Sequence, residues 1–238
     1  MIISNEPMTA LVEFQINADT TSAEDWLEEW GRRADDAQEA EPQTTSYAAA
    51  INLEEESNVL VFERYSAGDA SLKEHSKRHA HVELQTSMGE KNMTKRRVMG
   101  SRFSDIEGYG WWSRSESSSL MKQPGIILTV LGMRFKNEQE RGVFIELSQG
   151  HADYCWREEP DTLIYSAGVA MSDSDRGPDI KAGDLIFVMG CTDQEAVDKH
   201  QNDENHLALG DQFVAAGITI EGPFLRRYRT TGDGFLWK

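Results

Sequence analysis

The sequence predicts an α+β protein made of two tandem copies of a βαββαβ unit, and three observations predict it. The first is a long internal echo: Leu60-Val61-Phe62 returns as Leu185-Ile186-Phe187, His75 as His200, His81 as His206 and Leu84 as Leu209, ungapped at a spacing of 125 residues. The second is the block Glu41-Pro42-x-Thr44-x-x-Tyr47-x-Ala49, which returns as Glu159-Pro160-x-Thr162-x-x-Tyr165-x-Ala167 at a spacing of 118. The third is that the first register persists, with Arg102-Phe103 answering Arg227-Tyr228 and Trp112 answering Trp237. Self-similarity at a fixed period is the mark of repeated structure. The 238 residues divide into two units of ordinary domain size, 1–114 and 125–238, joined by a Ser-rich linker over 115–124.

In the first unit, Ala10–Ile16 alternates apolar and polar residues and reads as a strand. Asp19-Thr20-Thr21-Ser22 offers helix caps with Glu24 behind them. The helix that follows carries Trp26 and Trp30 on one face and Glu28, Glu29, Arg32 and Arg33 on the other, and Pro42 ends it. Strands Thr45–Leu53 and Val59–Tyr65 flank a polar turn and should form an antiparallel hairpin. Ser66-Ala67-Gly68-Asp69 then opens one long helix whose inward stripe is Leu72, His75, His79, Val82 and Thr86. Strand Arg97–Phe103 and an aromatic extension, Tyr109-Gly110-Trp111-Trp112, close the unit.

The second unit repeats the order. Strand Ile126–Phe135, helix Glu138–Trp156, strands Thr162–Met171 and Asp184–Gly190, helix Gln194–Ala216 and strand Thr219–Arg229 follow in turn. Its hairpin holds seven extra residues in the segment Ser172–Pro178, whose composition is that of a solvated surface loop.

Composition excludes several function classes. A formal net charge of −17, with only short basic clusters (Lys95-Arg96-Arg97 and Arg226-Arg227), repels phosphate backbones and anionic lipid, so neither nucleic acid nor membrane is an expected partner. Hydrophobic residues make up 39% of the chain, and no apolar run approaches the ~18 residues of a membrane span. Met1–Pro7 lacks the basic flank and apolar core of a signal peptide, and two cysteines outside any CxxC spacing fit a reducing compartment. A cytoplasmic address is the expectation.

A βαββαβ unit is the ferredoxin-like plan, which covers one sheet face with helices and leaves the other in need of a partner. Two copies in one chain meet that need internally. In this the residues resemble the antibiotic biosynthesis monooxygenase family of dimeric α/β barrels. The Glu-Pro-x-Thr-x-x-Tyr block is similar to that family's exit from the first helix into the second strand. Phe62-Glu63-Arg64-Tyr65, followed by Ala70–His75 and His81, is similar to its third strand and second helix.

The resemblance implies a fused pseudo-dimer, with pairing of two such chains into a homodimer left open. It implies an oxygenase-type tailoring enzyme that uses O2 on an aromatic, polyketide-like phenol or quinol without metal or flavin. The alternatives are a cyclase or lyase on a similar substrate and a small-molecule-binding barrel without chemistry. Haem-degrading relatives carry a helix histidine ten residues beyond a tryptophan; here His75 stands at that tryptophan position and Gln85 at the ligand position, which argues against haem.

His75 and His200 are the expected bases, each on an inward helix stripe where the family's pocket would lie, although a packed histidine has the same pattern. Arg227 and Tyr228 complete the expected catalytic set, and Arg102 or Arg227 would meet a developing phenolate or superoxide-like anion. Asn202, Asn205 and His206, with Trp156, Trp112 and Arg102, are the expected substrate contacts. Asn202, Asn205 and Tyr228 stand where the first unit has Lys77, Ala80 and Phe103, which favours the second unit as the active one. Tyr109, Trp111, Trp112, Tyr47 and Tyr165 read mainly as packing residues. His75 and His79 have the i, i+4 spacing of metal ligands, but Glu204 answers His79 in the second unit and the ligand set is incomplete, so no metal or other cofactor is expected.

Overall fold

In a computed structural model the chain is described over residues 6–174 and 176–238. Residues 1–5, part of the stretch read for a signal peptide, and Asp175 of the expected loop lie outside the described residues. The first half runs β1 (Met8–Ile16), α1 (Ala23–Ala40), β2 (Thr44–Asn52), β3 (Asn58–Tyr65), α2 (Gly68–Lys77), α3 (His79–Glu90) and β4 (Thr94–Asp105). A short 3-10 helix, Ser115–Leu120, leads to the second half: β5 (Ile127–Phe135), α4 (Glu138–Glu158), β6 (Thr162–Ala170), β7 (Leu185–Cys191), α5 (Gln194–Gln201), α6 (Glu204–Ala215) and β8 (Ile220–Phe235).

Each half forms a four-stranded antiparallel sheet, and the two sheets join edge to edge through β2–β8 and β4–β6 into a closed eight-stranded barrel. One apolar core fills the interior, with Leu11, Leu60, Phe62, Val130, Ile186 and Val188 among its residues. Among the described residues two larger cores lie outside the barrel beneath the helices, one around Trp26, Trp30 and Tyr47 and the other around Phe144, Cys155 and Tyr165, and a small one joins Met8, Ala10 and Tyr65.

The expected register of the repeat is off by one residue in the third strand. Leu60 and Phe62 face the barrel interior, whereas Leu185 and Phe187, their matches by spelling, belong to the core beneath the helices, and Ile186 and Val188 take the interior places. Because side chains alternate along a strand, a slip of one residue moves the whole set to the other face. The structural spacing there is 126 and still holds at the helix starts Gly68 and Gln194, so the shift to 125 at His75 and His200 falls within the following helix.

The single long helix expected after β3 is two helices. Arg78 is extended (φ −60°, ψ 143°) between α2 and α3, and Asp203 (φ −67°, ψ 137°) breaks the second half at the matching place. Each break is drawn toward the long first helix of its own half. Arg78 donates through two nitrogens to Asp36 of α1 at 2.7 and 2.6 Å, and Asp203 accepts from Tyr154 of α4 at 2.9 Å. The break rotates the later stripe outward: His79, Val82 and Thr86 are exposed and Leu84 is buried instead.

The seams are finished by residues past the ends of β4 and within β8, which also runs on to Phe235 rather than ending at Arg229. Trp111 pairs with Tyr165 of β6, and Arg114 donates to the carbonyls of Cys155, Trp156 and Glu159 at the end of α4 and of Thr162 at the start of β6. Reciprocally, Phe235 pairs with Tyr47 of β2, and Lys238 Nζ donates to the carbonyls of Ala37, Gln38 and Glu41 at the end of α1. Each half thus caps the other half's long helix with a cation, the sign that a helix C-terminus favours. The hairpin insertion is more than a solvated loop. Gly177 (φ +81°) lies so close to β4 that a Cβ would stand 2.3 Å from the Val98 carbonyl, and Ile180 is fully buried in the barrel core.

The narrow seam is β4–β6, where Gly168 faces Asp105 and a Cβ would stand 2.4 Å from Phe103 Cδ2 and 2.5 Å from the Ser104 carbonyl. Gly168→Val should therefore lower the unfolding free energy by about 2 kcal/mol or more. Gly150, inside α4 with nothing within 4 Å of its added Cβ, sets the contrast. Gly150→Ala should raise stability by about 0.5–1 kcal/mol. Urea unfolding of both variants measures the pair.

Candidate functional site

The repeated Glu-Pro-x-Thr block folds into a buried carboxylate clip. Glu41 caps the end of α1, its N–H donating to the Ala37 carbonyl, and the next residue, Pro42, prevents the helix from continuing. The chain turns so that Thr44 Oγ1 donates to Glu41 Oε2 at 2.6 Å, and α2 brings His75 Nδ1 to 2.8 Å from the same oxygen. The second half repeats the clip: Thr162 Oγ1 donates to Glu159 Oε2 at 3.0 Å, and His200 Nδ1 lies 2.8 Å from it. Burial pushes both carboxyls up, but the hydrogen bonds from histidine and threonine outweigh it and hold Glu41 and Glu159 down at about 2.

The halves differ in what faces this clip from the long helix. In the first, Arg33 is buried, bonds Glu41 Oε1 and lies 2.8 Å from His75 Nδ1. A carboxylate oxygen can only accept, so His75 Nδ1 donates to Glu41 Oε2, and the ring's other nitrogen, Nε2, has no protein partner. In the second half the matching residue, 118 positions on, is His151. His151 Nδ1 donates to Asn205 Oδ1 at 2.7 Å, and its Nε2 lies 3.3 Å from His206 Nδ1 and 3.4 Å from Cys155 Sγ. His151, His200 and His206 each present a ring nitrogen within 4.8 Å of the others. Burial lowers the pKa of His151, and lowers that of His206 to about 4. Both thiols hold their protons near pH 7: burial raises Cys155 well above its ordinary range and pushes Cys191 up to about 12.

A cleft of about 560 Å³ opens between α2, α3 and the outer face of the first-half sheet. Its walls include Val12, Glu63, His75, His81 and Arg102, and the loop after β6 adds Asp173 from the other half. His75 Nε2 and His81 Nδ1 are buried ring nitrogens without a hydrogen-bond partner, and the two rings stand 5.0 Å apart. Burial lowers His81 to about 4, so its ring is neutral near pH 7, and burial raises the carboxyl of Glu63, which accepts from Tyr65 at 2.7 Å.

The structure disperses the residues expected to act together. Tyr228 lies inside the barrel, where burial raises its phenol far above the ordinary value and its hydroxyl donates to Glu13 at 3.3 Å, so it is separated from His200 beneath the helices and holds its proton. Arg227 sits 3.7 Å from Glu54 on another part of the sheet. Asn202 is exposed and bonds its own helix through the Asp198 carbonyl. Trp156 is exposed and stacks edge-on against Trp111. Trp112 packs on the interior core with Arg64 3.9 Å above its ring. Arg102 lines the first-half cleft, paired with Asp69 at 3.0 Å, while Asn205 and His206 meet His151 in the second half.

Sequence reasoning missed Glu41, Glu159, Arg33 and His151. The two glutamates stood in the repeated block and were read only as a helix exit. The Arg33–His151 match becomes visible once the 118 spacing is carried back along the helix. Glu13, buried in the barrel and bonded by Asn52, Arg226 and Tyr228, carried no repeat signal.

Acid should unfold the protein in two stages. His81 and His206, at about 4 when folded against an ordinary 6.5, bind fewer protons than the unfolded chain between those values. Glu41 and Glu159, at about 2 against 4.5, do the same lower down. In both windows the unfolded state binds more protons, so stability falls as pH falls, first below about 6.5 and again below about 4.5. Urea midpoints measured from pH 8 to pH 3 should show both limbs, and a flat profile from pH 7 to pH 4 would contradict the burial of neutral His81 and His206.

The sequence matches no protein-family model and no curated protein. Solved structures do resemble the fold. A candidate monooxygenase from Lactobacillus acidophilus NCFM aligns over 98% of this chain and 99% of its own at TM-score 0.70 and 10% identity. A candidate monooxygenase from Fusobacterium nucleatum aligns over 97% and 93% at TM-score 0.68 and 11% identity. An anthrone oxidase-like protein aligns over 97% and 94% at TM-score 0.54 and 12% identity. The chain has the dimeric α/β-barrel fold of these structures, with both halves of the barrel in one polypeptide.

Proposed function

We propose that the protein is an oxygenase-type enzyme acting on a small aromatic phenol or quinol bound in the first-half cleft, with His75 as the base. The observation that carries this reading is the His75 ring on the cleft wall, its Nδ1 tied to the ionised Glu41 and its Nε2 without a protein partner. A carboxylate behind an imidazole fixes the tautomer and stabilises the imidazolium formed on proton uptake. His81, held at about 4, serves as a neutral hydrogen-bonding neighbour. On this proposal the base is His75 and not His200, whereas the sequence favours the second unit. The names of the structural neighbours, candidate monooxygenases and an anthrone oxidase-like protein, support the reaction class.

The chemistry balances without an external reductant. Proton loss to His75 Nε2 makes the substrate electron-rich enough to pass one electron to O2, and the resulting radical pair joins to form a C–O bond. The hydroperoxide loses water and leaves a carbonyl, so one oxygen atom enters the product, the other leaves as water, and the oxidised C–H bonds of the substrate supply all the electrons. Arg102, on the cleft wall, can meet the developing anion.

Incubation with anthrone under 18O2 should give anthraquinone carrying one labelled atom, with no product under nitrogen. His75→Ala should lower kcat by roughly 10²-fold or more. Its urea midpoint, measured alongside, separates a catalytic loss from a folding loss. No O2-dependent turnover across anthrones and hydroquinones, or full activity in folded His75→Ala, would overturn the assignment; turnover that needs no O2 would make the protein a cyclase or lyase.

A further inference from the structure

The second half contains a buried carboxylate that lacks the permanent cation its counterpart enjoys. In the first half Arg33 bonds Glu41 directly, and Arg78 lies 3.3 Å from the same carboxylate. At the matching positions the second half has His151 and Asp203. Among the described residues the one ionisable group paired with the Glu159 carboxylate is His200, and Glu159 Oε1 is buried with no hydrogen-bond partner. Three imidazoles and a thiol converge where the guanidinium would be.

We propose that His151, His200 and His206 bind one divalent first-row transition-metal ion, which supplies to the second half the positive charge that Arg33 supplies to the first. Two nitrogens bound at ~2.0–2.1 Å to a tetrahedral ion stand roughly 3.3–3.4 Å apart. His151 Nε2 and His206 Nδ1 are 3.3 Å apart. The supporting shell is already built. Asn205 Oδ1 accepts from His151 Nδ1, which leaves the lone pair of that ring on Nε2, and Glu159 Oε2 accepts from His200 Nδ1, which does the same for His200. A histidine ligand whose second nitrogen donates to a carboxylate or amide oxygen is the usual arrangement around a bound metal.

A set of imidazoles selects Zn2+, Co2+, Ni2+, Cu2+ or Fe2+ over Mg2+ and Ca2+. Cys155 Sγ, 3.4 Å from His151 Nε2 and 3.8 Å from His200 Nδ1, stands next to the set and would join it only by losing its proton to the ion's field. His206 is half-buried, which gives the ion a route from solvent. The sequence concealed this set because its members lie on three different helices, α4, α5 and α6, and only the fold brings them together.

The test uses full-length protein stripped with EDTA and titrated with Co2+, then with Zn2+. One Co2+ per chain should bind with the intense visible absorption of a four-coordinate ion, one Zn2+ should displace it, and Zn2+ should raise the thermal midpoint. His151→Ala and His206→Asn should each weaken binding by about 100-fold or more, and Asn205→Ala, which keeps all three rings, by about 10-fold or more. His79→Ala, on the exposed surface beside Glu83, should leave the titration unchanged. No stoichiometric uptake by folded wild-type protein would overturn the proposal. So would undiminished uptake in the His151 or His206 variants, which would place the ion elsewhere. Should His151→Ala fail to fold, the wild-type titration and Asn205→Ala still decide. The readout is metal binding and not turnover, so the result stands apart from the activity assigned to the first-half cleft.

Discussion

A β-sheet with two apolar faces cannot remain half covered in water, and that constraint organises this molecule. The helices of each half shield one face, through Trp26 and Trp30 in the first and Phe144 and Cys155 in the second. The remaining faces have only each other, and they meet as the barrel interior. Edge-to-edge pairing through β2–β8 and β4–β6 also removes the four strand edges that two separate sheets would leave open. The cleft and the ionisable clusters then lie between helices and sheet, where burial is deep enough to move pKa values but solvent stays near.

Beneath the helices the same clip is used twice with different charge compensation. A buried carboxylate is tolerable only when hydrogen bonds and opposite charge surround it. The first half surrounds Glu41 with Thr44, His75, Arg33 and Arg78, a set whose charge is fixed by two guanidinium groups. The second surrounds Glu159 with Thr162 and His200 and stations further imidazoles where the arginine would be. A guanidinium is always present and always charged; imidazoles leave the charge to be set by what binds them. Once two halves share one chain, each can change a buried residue without imposing the change on the other.

The fold was largely legible because duplication writes each signal twice. The alternation of β1, the tryptophan face of α1 and the two hairpins were all readable from local pattern, and the need of each sheet for a partner followed from them. What was not legible has specific causes. The break at Arg78 depends on Asp36 of another helix, and the break at Asp203 on Tyr154, contacts that no window of local sequence contains. The strand slip at Leu185 was hidden because Leu-Ile-Phe spells like Leu-Val-Phe in either register. At the site, His75, His200, Arg102, Asn205 and His206 were named from the sequence and lie beside the cleft or the histidine cluster. Tyr228 was named too, but its strand face turns it into the barrel. Glu41 and Glu159 looked like punctuation between helix and strand, and only the distance from each to a histidine on a later helix gives them a chemical role.

The reciprocal caps have a consequence for the order in which the molecule can be assembled during synthesis. Glu41 and the end of α1 emerge early, yet the cation that holds their carbonyls is Lys238, and the strand beside Tyr47 is completed by Phe235. The first half to leave the ribosome therefore waits, with its clip uncapped and one sheet face bare, until a full half-chain later has been made. Arg114, by contrast, is already in place when the end of α4 appears. Translation thus delivers the two pseudo-equivalent halves into unequal circumstances: the second folds onto a partner that is present, and the first is finished by residues of the second half, which are made after it.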